Sequence, residues 1–170
     1  YHFSQLFPIW GWATWKRAWS FFDLNMSNWP IMQKQKTLSF FFAHPKIENF
    51  FALTANKAFY DDLDTWDIQW VITCIERGGL VICPKNNLIS NIGIIGTHYT
   101  KADRFNLLPV KNIEMNNMIH PQVVFHNNKL DKKYFDEITK DPFWEKIIRK
   151  MITTGLMIRR KLIKEKLVIQ

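Results

Sequence analysis

The sequence predicts a mixed α/β fold of the α+β kind, in which helices dominate and a few short strands accompany them. Three observations favour it. Apolar side chains recur at helical spacing in residues 13–24 and again in residues 66–77, and a short apolar run at residues 80–83 lies between glycine and proline, as strands often do. With 170 residues, of which 47% are hydrophobic, the chain can bury the core of one domain.

The first helix is expected over residues 13–24, where Trp15, Trp19 and Phe22 recur at helical intervals and form one aromatic stripe. The apolar stripe of a surface helix faces the core, so we expect these rings to point inward. The run Ser27-Asn28-Trp29-Pro30 consists mostly of helix-breaking residues and is predicted to end this element.

Two further helices carry clear start and stop signals. One is expected over residues 45–58, because the proline that opens it fits the first turn of a helix. The other is expected over residues 66–77, with Asp64 or Thr65 as its N-cap. Gly78-Gly79 is expected to end it, since glycine is favoured just past a helix C-terminus.

The middle of the chain predicts one strand and much irregular backbone. Leu80-Val81-Ile82-Cys83 is expected to form a short buried strand that Pro84 closes. Residues 86–96 are polar and punctuated by glycine, which indicates a loop. Residues 97–122 carry weak signals and are expected to be irregular, with short extended pieces.

The C-terminal part of the chain is strongly basic. A helical pattern that begins near Asp131 is interrupted at Asp141-Pro142 and resumes as a basic helix over residues 143–166. We therefore predict two parts, residues 1–128 with the candidate site and residues 129–170 as a helical basic tail. Two interpretations of the tail stay open: a solvated helix face, or a helix that contacts a membrane surface or a partner.

Composition limits the classes of partner and compartment. Lys and Arg number 23 against 15 Asp and Glu, and the net charge of +8 favours polyanions or anionic membranes. Nucleic-acid binding is disfavoured, because the aromatic residues cluster near the start and the charge near the end. No apolar stretch approaches the roughly 20 residues of a membrane span. Cys74 and Cys83 are expected to be buried thiols of a reducing compartment. We expect a cytoplasmic protein, with peripheral membrane attachment left open.

The strongest chemical candidate is Asp67, in the run Thr65-Trp66-Asp67-Ile68-Gln69-Trp70. A carboxylate in the first turn of a helix is favoured as the anion, so it can accept a proton. Beside two indoles it suits the activation of a sugar hydroxyl, since aromatic faces bind the apolar faces of rings. The alternative is that Asp67 only stabilises the helix start, where acidic residues are common.

Other motifs are weaker. Asp62-Leu63-Asp64 has the form of an Asp-x-Asp metal site, but it follows a helical stretch and is better placed to cap the next helix. His98 lies in a loop where it can donate to a phosphate or a sugar hydroxyl. The spacing of His and Cys predicts no zinc site, and no glycine-rich phosphate loop is recognisable. We therefore assign no metal ligand.

Four segments together resemble a known family: Ile9-Trp10-Gly11-Trp12-Ala13-Thr14-Trp15-Lys16-Arg17-Ala18-Trp19, Thr65-Trp66-Asp67-Ile68-Gln69-Trp70, Asn87-Leu88-Ile89-Ser90-Asn91-Ile92-Gly93 and Thr97-His98. Over residues 3–126 the chain looks like the acceptor-side half of GT-A nucleotide-diphospho-sugar glycosyltransferases, in particular the bacterial haemolytic-protein-like group. More distantly, it is similar to the N-acetylglucosaminyltransferase I family.

The resemblance implies roles for individual residues. Asp67 would be the catalytic base of an inverting hexosyl transfer, and a flexible loop over residues 91–100, with hinges at Gly93 and Gly96, would close on the donor. The residues that it assigns to substrate binding are Trp10, Gly11, Trp12, Trp66, Asn91 and His98.

The resemblance also implies substrates and a missing part. The donor would be a nucleotide-diphospho-sugar with Mn²⁺ or Mg²⁺, and the acceptor a glycan or glycolipid. The family's N-terminal donor-binding half does not match these residues, and Ile94-Ile95 replaces a glycine-acidic stretch. We therefore expect donor and metal to be bound mainly by an N-terminal half or a second polypeptide.

Two competing classes stay open. The first is a non-catalytic binding or assembly module, in which the aromatic residues form the core and the basic tail docks on a membrane or partner. The second is a glycoside hydrolase, which needs two carboxylates across the scissile bond. Asp67 has acidic neighbours only at positions 61, 62 and 64, and nothing in the sequence supports such a pair.

Overall fold

The computed structural model describes residues 1–61, 65–90, 109–112 and 118–139. It divides into two compact units, which we call the strand unit (Tyr1–Thr14 with Leu80–Asn127) and the helical unit (Trp15–Gly79 with Asn128–Gln170). The described residues are mostly helical with one small sheet, so the α+β kind of fold is confirmed. No helix among them combines the length and apolar character needed to cross a bilayer.

The strand unit contains an antiparallel pair, β1 (His2–Ser4) and β2 (Val81–Cys83). Phe3 also forms a parallel bridge with His126. β2 confirms the predicted strand, one residue shorter, but its predicted burial is wrong because Ile82 is exposed. β1 was not expected, since three residues are too few to show an alternating pattern.

The described part of the helical unit contains α1 (Lys16–Trp19), α2 (Trp29–Lys34), α3 (Thr37–Phe41), α4 (Pro45–Tyr60), α5 (Asp67–Glu76) and α6 (Asn128–Thr139). The predicted division at residue 128 stays a prediction, because residues 140–170 of the basic tail lie outside the described residues.

The two best-marked helices are confirmed. α4 begins at its proline as expected and ends at Tyr60, two residues beyond the predicted end. α5 is one residue shorter at each end than predicted, and Asp67 lies in its first turn. Gly78 ends α5 in the left-handed region at φ +62°, and its N–H donates to the carbonyl of Ile75 at 3.0 Å.

The first predicted helix is much shorter than expected. Only α1 is helical, and the chain continues in turns, because the N–H groups of Phe21 and Phe22 donate to carbonyls three residues back. The carboxylate of Asp23 then accepts backbone N–H groups and redirects the chain. The prediction that this aromatic stripe points inward is wrong for Trp15, whose ring is the most exposed of the three in the stripe.

α2 begins where a break was expected, and α3 lies in a stretch for which no element was predicted. Pro30 is the second residue of α2, a position where its missing N–H costs no hydrogen bond, so it starts a helix instead of ending one. Lys36 joins the two helices in the left-handed conformation at φ +55°.

The core of the helical unit is built from several helices. Trp29 is 1% exposed, and its indole N–H donates to Oδ1 of Asn56 at 3.0 Å. α6 packs on α4 through Phe135, whose ring meets Phe50 edge-on at 5.6 Å. Other buried apolar side chains of this unit are Met26, Met32, Leu38, Phe42, Ile47, Phe51, Ala55, Trp70, Val71, Ile72 and Ile75. Helix α5 therefore packs on the core of the helical unit.

Candidate functional site

Asp67 is held at the first turn of α5 by two local hydrogen bonds. Its Oδ1 accepts the backbone N–H of Ile68 at 2.8 Å and the side-chain hydroxyl of Thr65. The N-cap residue is Trp66, which makes no side-chain capping bond. The prediction of Thr65 as N-cap is therefore wrong, because its hydroxyl serves the Asp67 carboxylate instead. Asp64 lies outside the described residues.

Asp67 has few polar partners within the described residues. Its side chain is only partly buried, and within the described ranges no Lys, Arg or His forms an ion pair with it. Its second oxygen, Oδ2, has no hydrogen-bond donor among the same residues. The carboxylate also lies at the N-terminal end of α5.

Four aromatic rings form what we call the indole cluster: Trp19, Phe22, Trp66 and Trp70. Trp19 stacks on Phe22 with ring centroids 4.5 Å apart, and it meets Trp66 edge-on at 6.3 Å and Trp70 at 5.0 Å. Trp70 is buried, whereas Trp66 is 44% exposed. The cluster therefore anchors one exposed indole next to Asp67 in the sequence, on the rigid start of a helix.

The predicted residues Trp10, Gly11 and Trp12 belong to the strand unit. Gly11 is left-handed at φ +58°, and a Cβ there would lie 2.4 Å from Cδ1 of Ile89. Only glycine fits this position without displacing Ile89. Trp10 is exposed and Trp12 is half-buried. Gly11 thus lets Ile89 pack against the turn between the two indoles.

The position of Ile89 is fixed by Asn87. The Asn87 side-chain amide donates to the carbonyl of Ile89 at 2.8 Å, and its Oδ1 accepts the N–H of Ile89 at 3.3 Å. The carbonyl of Asn87 also accepts the N–H of Lys111 at 3.0 Å. Sequence analysis included Asn87 in a motif but did not assign it this role, although an asparagine that bonds backbone two residues on is a local turn signal.

The structure separates the predicted site residues into groups. Trp66 and Asp67 lie together in the helical unit, and Trp10, Gly11 and Trp12 lie in the strand unit. A pocket that contains both groups stays a prediction. The remaining predicted residues, Asn91, Gly93, Gly96 and His98, lie outside the described residues.

Two members of the indole cluster, Trp19 and Phe22, were assigned by sequence analysis to a core-facing stripe. Trp19 contacts Trp66, Phe22 stacks on Trp19, and both rings also contact the buried Trp70. The spacing of Trp66 and Trp70, one helical turn apart, is the signal that points to a shared aromatic face.

Metal and thiol chemistry have little support in the described residues. They contain no group of three or more His, Cys, Asp or Glu side chains that could hold a metal ion, and Asp62 and Asp64 lie outside them. Cys74 and Cys83 are free thiols that were predicted to be buried and are only partly buried. Burial raises the pKa of Cys74 to about 12, which keeps it protonated and unreactive.

Comparisons of the chain with protein-family models, with curated proteins and with solved structures found no match. The central features of the site are the accessible Asp67 carboxylate and the anchored Trp66 indole that precedes it.

Proposed function

We propose that the chain is the acceptor-binding portion of an inverting glycosyltransferase of the GT-A type, in which Asp67 is the catalytic base. The observation that carries the proposal is the state of the Asp67 carboxylate. It is oriented through Oδ1 and has no cationic partner among the described residues, and it follows a partly exposed indole in the sequence. A base needs this combination of orientation and access.

The chemical step follows from that geometry. An acceptor hydroxyl that donates to Oδ2 of Asp67 would lose its proton to the carboxylate as its oxygen attacks the anomeric carbon of the donor. The new bond is the glycosidic C–O bond, and the bond to the nucleotide diphosphate breaks with its electron pair on the diphosphate. Attack opposite to the leaving group inverts the anomeric centre. Fixing Oδ1 by two donors keeps Oδ2 aimed, which lowers the entropic cost of the step.

Trp66 supplies the surface for the acceptor sugar. The axial C–H groups of a pyranose pack on an indole face while its hydroxyls stay at the rim, where a carboxylate can accept them. Because Trp66 is braced by Trp19, it loses little side-chain freedom when a sugar binds.

Donor binding is assigned to a second half or polypeptide. The described residues bring together no group of three or more His, Cys, Asp or Glu side chains that could hold a metal ion, and Asp62 and Asp64 lie outside them. In the proposal, this chain binds the acceptor and removes the proton of its hydroxyl.

Glycan binding tests the acceptor role with the 170-residue chain itself. We expect binding on a glycan array, and calorimetry with the best-bound glycan should show that Trp66→Ala weakens affinity about tenfold. Trp15→Ala is the matched control, because this indole is more exposed but lies outside the indole cluster. Equal losses in both variants, or no glycan binding by the wild type, would contradict the proposal.

Transfer kinetics test the base. The assay uses the protein expressed from its natural reading frame, a panel of nucleotide-diphospho-hexoses as donors and the glycan found above as acceptor. Asp67→Asn should lower kcat about a hundredfold or more and leave KM nearly unchanged. Asp61→Asn, an exposed aspartate after α4, is the control and should be neutral. If the wild type binds the glycan but shows no transferase activity, the non-catalytic binding module is favoured instead.

A further inference from the structure

Residues 15–24 of the helical unit expose both apolar side chains and cations. Trp15 is 61% exposed, Phe21 50% and Leu24 58%. Lys16 and Arg17, which lie between these apolar side chains in the sequence, are exposed as well. We call this segment, together with the exposed Arg77, the aromatic–basic surface. The mechanism proposed above uses none of these six side chains.

Two guanidinium groups lie over exposed rings of this surface. Cζ of Arg17 is 5.5 Å from the centroid of the Trp15 ring, and Cζ of Arg77 is 4.3 Å from the centroid of the Phe21 ring. Such pairs keep a cation and an apolar face together at the protein surface. Each guanidinium also keeps several N–H donors for an external anion.

The local charge is positive. The first 22 residues contain no Asp or Glu. The first acid, Asp23, is already engaged, since its oxygens accept the N–H groups of Asn25 at 2.9 Å and Ser27 at 2.7 Å. Glu76 is exposed next to Arg77 and accepts the amide N–H of Asn28 at 2.9 Å. Three cations therefore face outward here against two carboxylates that are both hydrogen-bonded within the unit.

This combination selects among possible ligands. A sugar would use the rings but gains little from exposed Leu24 and the cations, and a nucleic-acid strand would use rings and cations but not an aliphatic side chain. An anionic lipid surface uses all three. Arginines bind phosphates, tryptophan prefers the headgroup layer, and phenylalanine and leucine enter the edge of the acyl region.

We propose that the aromatic–basic surface docks the protein on an anionic lipid surface, with Arg17 and Arg77 on lipid phosphates and with Trp15, Phe21 and Leu24 inserted at the interface. In the sequence, most of its residues precede Trp66 and Asp67, and none belongs to the basic tail at residues 143–166. The docking does not rest on the proposed transferase function, because it uses neither Trp66 nor Asp67.

Vesicle flotation tests the docking. We expect the wild type to float with vesicles of phosphatidylcholine and phosphatidylglycerol, and much less with phosphatidylcholine alone. Arg17→Gln with Arg77→Gln should lower partitioning about twentyfold, since each cation near an anionic surface contributes about fivefold. Trp15→Ser with Phe21→Ser should lower it about tenfold. Circular dichroism should show that both double variants stay folded, because the four side chains are exposed.

Phe40→Ser is the matched control, since Phe40 is 87% exposed in the same unit and has no guanidinium over its ring within the described residues. It should float like the wild type. An equal loss in this control, wild-type flotation of both double variants, or failure of the wild type to float would overturn the proposal. The proposal would also be overturned if the two double variants lost binding to a single-stranded oligonucleotide but kept binding to vesicles. Loss of flotation on Arg159→Gln with Arg160→Gln alone would assign the docking to the tail instead.

Discussion

The helical unit and the strand unit are stabilised in different ways. The described helical unit has a core of large apolar side chains, with Trp29 and Ala55 almost fully sealed. The described strand unit buries few apolar side chains, among them Leu6 and Phe7, while its Ile119 is highly exposed. Burial stabilises the first unit, whereas short strand pairing and tight turns define the second. The base of the proposed mechanism lies in the unit with the larger core.

The largest expected effect tests the core of the helical unit. Trp29→Ala removes the indole that fills the core and leaves Asn56 without its N–H donor. The free energy of unfolding should fall by about 3–5 kcal/mol, measured by urea denaturation. Phe40→Ala, on the exposed side of the same unit, should change it by less than about 0.5 kcal/mol. Similar losses in both variants would mean that Trp29 does not anchor this core.

A smaller effect is expected in the strand unit, at the close contact between Gly11 and Ile89. Gly11→Ala should lower the free energy of unfolding by about 2–3 kcal/mol, because it adds left-handed strain and a clash with Ile89. Hydrogen exchange should show the loss mainly at β1 and β2.

Gly78→Ala is a matched control for the clash. Gly78 has nearly the same φ, +62° against +58° for Gly11, but a Cβ there would meet nothing within 4 Å. It should cost only the backbone strain, about 1 kcal/mol. Ile89→Ala should rescue part of the Gly11→Ala loss, and equal costs at the two glycines with no rescue would exclude the clash as a cause.

The sequence predicted those parts of the molecule that carry local signals. Pro45 opens α4 and Gly78 closes α5 where expected, and these two limits place Asp67 in the first turn of α5. The contact of Gly11 with Ile89 could not be predicted, because it depends on tertiary packing between distant segments. α2 was missed because Pro30 fits a helix start as well as a break.

The candidate site was predicted to a similar extent. Local sequence predicted that Trp66 and Asp67 adjoin at a helix start. It did not predict that Trp19 contacts Trp66, because the spacing of Trp15, Trp19 and Phe22 equally fits a core-facing stripe. The hydroxyl of Thr65 was expected to cap backbone N–H groups, and it serves the Asp67 carboxylate because the chain turns at Trp66.

The smallest expected effect compares one thiol in each unit. Cys74 lies in α5 on the packed core, and Cys83 lies in the short strand β2. With the other cysteine replaced by alanine, Cys74 should react with iodoacetamide more slowly than Cys83 at neutral pH. Burial keeps Cys74 protonated, and a small sheet opens more readily than a core helix. Faster reaction of Cys74 would contradict the difference between the units.

The free energy of unfolding should also depend on pH through Cys74, and the direction of this dependence follows from its pKa. The pKa of Cys74 is raised by burial from 9.0 to about 12, so above pH 9 the unfolded chain releases this proton more readily than the folded chain. The stabilisation is complete below pH 9 and is lost as the pH rises toward 12. Subtracting the Cys74→Ala curve from the wild-type curve removes the titration of every other group, and the difference should fall with pH over this window. A flat difference would show that Cys74 is not held protonated by the core.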